Sequence, residues 1–163
     1  MIMSNSPCQD GGLTLRFWGV RGSTPVCGSD YAEFGGSTPC LEVTCGDRMV
    51  LIDAGTGGQV ADTAGVLMAN LAVAGIEPRA IDTIVISHFH PDHIDGLKTK
   101  DGDKVFPNAE ILVPEPEWTF WMDDAQMNSA PDRIKVYFRN ARRIFGDIGK
   151  EVRRFKPGVE VAP

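Results

Sequence analysis

The sequence predicts an α/β (α+β) fold: one sheet with helices on one face. Three observations predict it. Strand-like segments come first as a hairpin and then alternate with helical ones, the order expected when helices cover a sheet. Ile84-Val85-Ile86-Ser87 is a short apolar run rich in β-branched residues and reads as a buried strand. Ile134, Tyr137, Phe138, Ala141, Ile144 and Phe145 recur at spacings of three and four, the period of a helix with one apolar face.

The elements follow in order. Residues 1 to 12 are polar, end in Gly11-Gly12 and predict a flexible tail ahead of a domain over 13–163. Leu13 to Trp18 alternates as a strand does, and 19 to 36 is rich in Gly, Ser and Pro, a long loop. Leu41 to Cys45 and Met49 to Ile52 flank Gly46-Asp47-Arg48 and predict a hairpin. A helix is expected from Asp62 to Ala74: Asp62 or Thr63 caps it, Val66, Leu67, Asn70, Leu71 and Ala74 share one face, and Gly75 closes it. After the strand Ile84 to Ser87 come a short helical turn over His93 to Leu97, a strand over Glu110 to Val113, and an aromatic-rich helix from Pro114 to Asp123. Pro131 opens the next helix, as proline suits a first turn, and Gly146 ends it. Glu151 to Phe155 closes the series as a strand.

Composition narrows the function. A hydrophobic share of 42% with 23% charged residues is that of a globular domain. The net charge of −6 argues against a nucleic-acid binder or an anionic membrane surface as partner. The first residues lack a basic start and an apolar core, and no apolar run is long enough to span a bilayer, so a cytoplasmic protein is expected. Cys8, Cys27, Cys40 and Cys45 show no C-x-x-C spacing and read as reduced thiols.

The chemistry is concentrated in His88-Phe89-His90-Pro91-Asp92-His93, which holds all 3 histidines of the chain. His88 and His90 are two apart, so in extended backbone they point the same way and can pinch one ion. Asp92 and His93 follow as the chain turns and can face a second. Imidazole nitrogens with a carboxylate suit zinc, iron or manganese. The site is expected at the carboxyl end of a strand, where open α/β sheets place theirs. Gly55-Thr56-Gly57-Gly58 lacks both the register of a dinucleotide loop and a Walker lysine, and reads as a turn. Trp118, Phe120, Trp121 and Met122 either wall an apolar pocket or fill the core, and the core is the better reading.

His88-x-His90-x-Asp92-His93 after an apolar strand resembles the signature of the metallo-β-lactamase superfamily. Leu51-Ile52-Asp53-Ala54-Gly55-Thr56-Gly57 resembles its strand-Asp-x-Gly loop. Phe17 to Ser23 and Gly35 to Cys40 resemble the opening of its ribonuclease-Z-like and phosphodiesterase-like branch. Asp95-Gly96-Leu97, Phe106-Pro107-Asn108-Ala109 and Pro114-Glu115-Pro116-Glu117-Trp118 resemble the branch with methyl-parathion hydrolases and acyl-homoserine-lactone lactonases. The resemblance implies an αββα sandwich of which 13–163 supply the first αβ half. A lone half would leave the inner sheet face as an apolar patch larger than a soluble monomer usually tolerates.

It also implies a metal-dependent hydrolase acting on a lactone or phosphate ester. The metal ligands would be His88, His90, Asp92 and His93, holding zinc, one ion or two, with iron or manganese as other candidates. Asp92 would be both ligand and catalytic orienter of the nucleophile, and Asp53 either steadies a ligand histidine or caps its turn. The family completes its site with a further histidine on each ion and a bridging aspartate, all later in the chain. Here no histidine follows His93, and Asp123, Asp124, Asp132 and Asp147 lie in unlike contexts. Half a site is therefore expected, with a small-molecule substrate and either a homodimer partner or a complementary carboxyl-terminal half. Other readings are a catalytically silent half-domain that binds or assembles, and an iron-dependent redox member of the same superfamily.

Overall fold

A computed structural model of the chain describes residues 12–22, 24–26, 30, 36–57 and 67–160. Among these the sheet has six strands in sequence order: β1 (Thr14–Gly19), β2 (Cys40–Cys45), β3 (Arg48–Ile52), β4 (Thr83–Val85), β5 (Glu110–Pro114) and β6 (Arg153–Phe155). The first three pair antiparallel, β2 and β3 through a tight turn at Gly46-Asp47, and β3 to β6 pair parallel. Parallel neighbours need a crossover, and helices supply it. α1 (Leu67–Val73) joins β3 to β4, α2 (Pro91–Ile94) lies between β4 and β5, and α3 (Glu115–Trp121), α4 (Asp124–Ser129) and α5 (Asp132–Phe145) connect β5 to β6.

The core lies on the helical side of the sheet. Leu51, Ile84, Ile111 and Val113 point from β3, β4 and β5 into one cluster with Phe138, Ala141, Ile144 and Phe145 of α5. Those four α5 positions are spaced as the sequence pattern requires, and Arg139 and Arg143 fall on the outer face. Asp132 in the first turn and Arg142 and Arg143 in the last complement the helix dipole. The other sheet face is an apolar ladder in which Phe17, Leu41, Ile52, Val85 and Leu112 stand in register. At its β1 edge Leu13, Leu15 and Phe17 are 64%, 53% and 65% exposed.

Several expectations are adjusted. β4 ends at Val85, and Ile86 and Ser87 leave the strand, although the Ile86 amide still donates to Leu112 O (2.9 Å). The helix expected to Asp123 stops at Trp121, because the Asp123 side chain accepts from the Gln126 amide (2.9 Å) and starts α4. Asp123-x-x-Gln126 is a capping-box spacing, and that local signal could have found α4. Cys40 is a buried free thiol whose pKa is pushed up by burial and by Asp53 and Glu42, so it is inert. Cys45 is disulfide-bonded, which corrects the expectation of reduced thiols throughout. The expected tail over 1–12 lies, but for Gly12, outside the described residues, as do Asp62, Thr63 and Val66 and much of the loop over 19–36.

Candidate functional site

The carboxyl ends of β3 and β4 lie side by side and open in the same direction. The Asp53 amide just past β3 donates to Val85 O (2.9 Å), so Asp53 stands beside the segment that carries the histidines. Period-two alternation then sorts that segment. Phe89 is fully buried, its ring 4.5 Å from Phe145 and 6.4 Å from Trp118, while His88 and His90 turn outward together. The Phe89 amide donates to Glu117 Oε2 (2.9 Å), which also accepts from Trp121 Nε1 (2.9 Å). Glu117 thus pins the backbone between the two imidazoles. His90 has β/extended backbone and begins α2, whose first residue is Pro91, and this turn delivers Asp92 and His93.

The side chains form two facing pairs. His88 Nε2 is 3.1 Å from His90 Nδ1, and His93 Nε2 is 3.4 Å from Asp92 Oδ2. The His88 and His93 rings lie 3.9 Å apart, which joins the pairs into one cluster. Behind them, Asp53 Oδ1 accepts from the Ser87 amide (2.7 Å) and Oδ2 accepts from Ser87 Oγ and His93 Nδ1 (2.8 Å each). Ser87 Oγ in turn lies 3.0 Å from His88 Nδ1.

These contacts assign the tautomers. The Asp53 carboxylate can only accept, so His93 carries a proton on Nδ1, and in its neutral form it presents a lone pair at Nε2. Ser87 spends its one proton on Asp53 and therefore accepts from His88 Nδ1, leaving His88 Nε2 bare. Of the two roles open to Asp53, the structure shows it reaching across to Ser87 and His93 rather than capping its own glycine-rich turn. Its backbone is at φ 60°, the one positive value outside glycine among the described residues.

Electrostatics follow. Burial lowers the His88 pKa, and the His93 and His90 imidazoles lower it further, against Asp53 and Glu117. Burial also pulls His93 down, but the hydrogen bond and charge of Asp53, with the charge of Asp92, outweigh it together and hold His93 above its ordinary value. Negative charge at this end of the sheet therefore favours a cation against the imidazoles.

Each pair has the donor types and the spacing of two neighbouring ligands on one zinc ion. Two atoms bound to one tetrahedral ion at ~2.0–2.1 Å lie about 3.3 Å apart, close to the separations in both pairs. Among the described residues, however, no three His, Cys, Asp or Glu side chains meet in a geometry that would hold an ion. The four sequence-predicted ligands are gathered, two and two.

Three further features surround the cluster. Ala54 N donates to His93 O and Gly96 N to Gly55 O (2.9 Å each), stitching the glycine-rich loop after β3 to the α2 turn. The backbones cross so closely that a Cβ on Gly96 would lie 1.9 Å from Ala54 O. Gly57 of the loop serves the same close approach, since a Cβ on it would lie 2.9 Å from Gly96 Cα. Trp121 is buried against Phe138 (4.7 Å), so it belongs to the core, whereas the His90 ring lies 5.4 Å from Tyr137 and 6.0 Å from Trp121. Asp95, buried just after His93, accepts from Asn140 and Arg143 of α5, and burial raises its pKa against those two partners.

The family model described as the metallo-beta-lactamase superfamily matches residues 34–160. The chain belongs to the metallo-β-lactamase superfamily. Solved structures agree with this fold. The hydrolase AbOPH of the beta lactamase superfamily superposes with a TM-score of 0.70 at 24% identity, over 91% of this chain and 59% of that one. AidC, a dizinc quorum-quenching lactonase in complex with its product, superposes at 0.66 and 27% identity, over 76% of this chain and 45% of that one. A Staphylococcus aureus protein described as a probable metal-dependent hydrolase gives 0.63 and 25%, over 77% and 46%. No curated protein matches the chain. The chain thus spans about half the length of these metallo-β-lactamase-fold structures, and its sheet with helices on one face is the corresponding αβ layer of that fold. No described helix is long and apolar enough to cross a membrane.

Proposed function

We propose that this chain carries half of a metal-dependent hydrolase centre that acts on a lactone or a phosphate ester. His88 and His90 would hold one ion, and Asp92 and His93 a second. The observation that carries this reading is the pair of ring nitrogens, His88 Nε2 and His90 Nδ1, 3.1 Å apart with the His88 proton drawn away to Ser87. Without metal the two nitrogens can share the His90 Nδ1 proton; with that proton released they offer two lone pairs to one cation at the spacing of neighbouring zinc ligands. The dizinc lactonase AidC, at 27% identity, supports zinc as the metal and a lactone as the substrate.

The ions that His88, His90, Asp92 and His93 would hold would supply a lowered pKa for water and positive charge for a developing oxyanion. The chain's own residues do the rest. Asp53 and Ser87 hold His93 and His88 in the tautomers that leave Nε2 free. Glu117 fixes the backbone between His88 and His90. Asp92 serves as ligand and orients the nucleophile. Each pair offers two of the three or four protein ligands a zinc site uses, so a further stretch of polypeptide, in a complementary carboxyl-terminal half or a second copy, supplies the others. The exposed apolar edge at Leu13, Leu15 and Phe17 supports such a partner.

Titration of the purified 163-residue chain with zinc tests this reading. The expected result is binding weaker than micromolar, little turnover of an N-acyl homoserine lactone, and loss of binding in His88→Ala/His90→Ala. Binding that survives both substitutions would place the ion elsewhere and overturn the assignment.

A further inference from the structure

We propose that Asn140 and Arg143 are positioning residues for the Asp92–His93 pair and act on it through Asp95. The inference rests on the proposed metal centre and adds to it a control point on α5, outside the histidine segment.

The need for such a device comes from α2 itself. A helix of 4 residues cannot hold its own shape, since one turn costs more conformational entropy than its hydrogen bonds return. Asp92 and His93 sit within it, so something else must fix them. One clamp is backbone: Ala54 N to His93 O and Gly96 N to Gly55 O tie the turn to the loop after β3. That clamp holds the side of the turn that faces β3, and Ile94 packs into the core beneath it.

The second clamp grips from the opposite element. The Asp95 carboxyl is buried and its Oδ1 accepts from Asn140 Nδ2 (2.7 Å) and Arg143 Nη2 (3.2 Å). Arg143 also donates to Asn140 Oδ1 from Nη2 (2.9 Å) and Nε (3.3 Å). The guanidinium therefore fixes which way the Asn140 amide faces, carbonyl to arginine and amino group to Asp95. The three groups close on one another. Asp95 ends the turn that carries Asp92, three residues on, so a hold on its carboxyl bears on that turn. Asn140 and Arg143 stand on a 14-residue helix anchored by Phe138, Ala141, Ile144 and Phe145, a rigid base for the clamp. An exposed ion pair alone would be worth little; here the acceptor is buried and the amide is locked, which gives the contact its geometric weight.

The test uses cobalt(II) as the probe, because its visible absorption reports ligand geometry as well as occupancy. Asn140→Leu, Arg143→Met and Arg143→Lys are compared with the wild-type chain, each with a thermal melt to establish the folded fraction. The expected result is about a tenfold loss of cobalt affinity in Asn140→Leu, in the range of other supporting contacts to ligands. A smaller loss is expected in Arg143→Met, each with an altered spectrum, and recovery toward wild type in Arg143→Lys. Should Asn140→Leu fail to fold, the half-exposed Arg143 still supplies the comparison. Wild-type affinity and spectrum in the folded variants, whatever their melting temperature, would reduce the cluster to a fold contact and overturn the inference alone. A wild-type chain that takes up no cobalt would overturn the metal centre and this inference with it.

Discussion

Asp53→Asn separates the carboxylate's chemistry from its shape. Asp53 is buried and accepts at 2.7 Å from the Ser87 amide and at 2.8 Å from both Ser87 Oγ and His93 Nδ1. Asparagine keeps one carbonyl oxygen for the Ser87 amide and tolerates the φ of 60°. Its amino group then meets His93 Nδ1–H, donor against donor. The conflict is relieved by moving the His93 proton to Nε2, which removes the lone pair offered beside Asp92. Hydrogen bonds to a charged group are worth ~1.5–3 kcal/mol each and neutral ones ~0.5–1.5. With Ser87 able to rotate and re-pair, the metal-free chain should lose about 1–3 kcal/mol. Zinc affinity should fall 10- to 100-fold, the usual cost of losing a contact that orients a ligand, or ~1.4–2.7 kcal/mol. Competition against a chromophoric chelator measures the affinity, and urea denaturation in chelator measures the stability. An Asp53→Asn chain that binds zinc as tightly as wild type would refute the tautomer reasoning, whatever its stability.

Other perturbations probe the frame around the site. Phe89→Ala empties a fully buried position between the two outward histidines and should cost about 3–5 kcal/mol in urea denaturation; a loss under 1 kcal/mol would show that the alternation does not anchor the segment. Gly96→Ala places a Cβ 1.9 Å from Ala54 O, a backbone atom that cannot swing aside, so zinc binding should fall along with the melting temperature. The Lys98 ammonium, 5% exposed, donates to Asp147, and that hydrogen bond lowers the Asp147 pKa. A depressed carboxylate stabilises the fold above its unfolded pKa, and the effect is lost as pH falls through the folded value. Asp147→Asn should therefore lower the urea midpoint at pH 7, and the difference from wild type should vanish at pH values below the ordinary aspartate range. A difference that persists there would mean the pair acts through packing.

Much of the frame is written in local patterns. The hairpin over 41–52 reads from its turn and flanking apolar residues, and α5 reads from its period, with buried residues at 138, 141, 144 and 145. The outward pairing of His88 with His90 follows from spacing alone, and the fully buried Phe89 between them completes the alternation. What the sequence withholds is the support. Ser87 as a relay to Asp53 joins residues 34 apart, Glu117 to Phe89 joins residues 28 apart, and Asn140 to Asp95 joins residues 45 apart. Such contacts leave no periodic trace, because each depends on two elements docking in one register. The Asp53 role stays open in sequence for the same reason: an aspartate before glycines can cap its turn or reach across the sheet, and its carboxylate bonds to Ser87 and His93 decide between them.

The central claim is that the end of β4 presents imidazole nitrogens to a metal ion. X-ray absorption at the zinc edge, on the chain loaded with less than one equivalent of zinc, tests it most directly. The account predicts imidazole scattering with nitrogens at ~2.0–2.1 Å, lost in His88→Ala/His90→Ala. A first shell of sulfur at ~2.3 Å, or of oxygen alone unchanged by those substitutions, would contradict it.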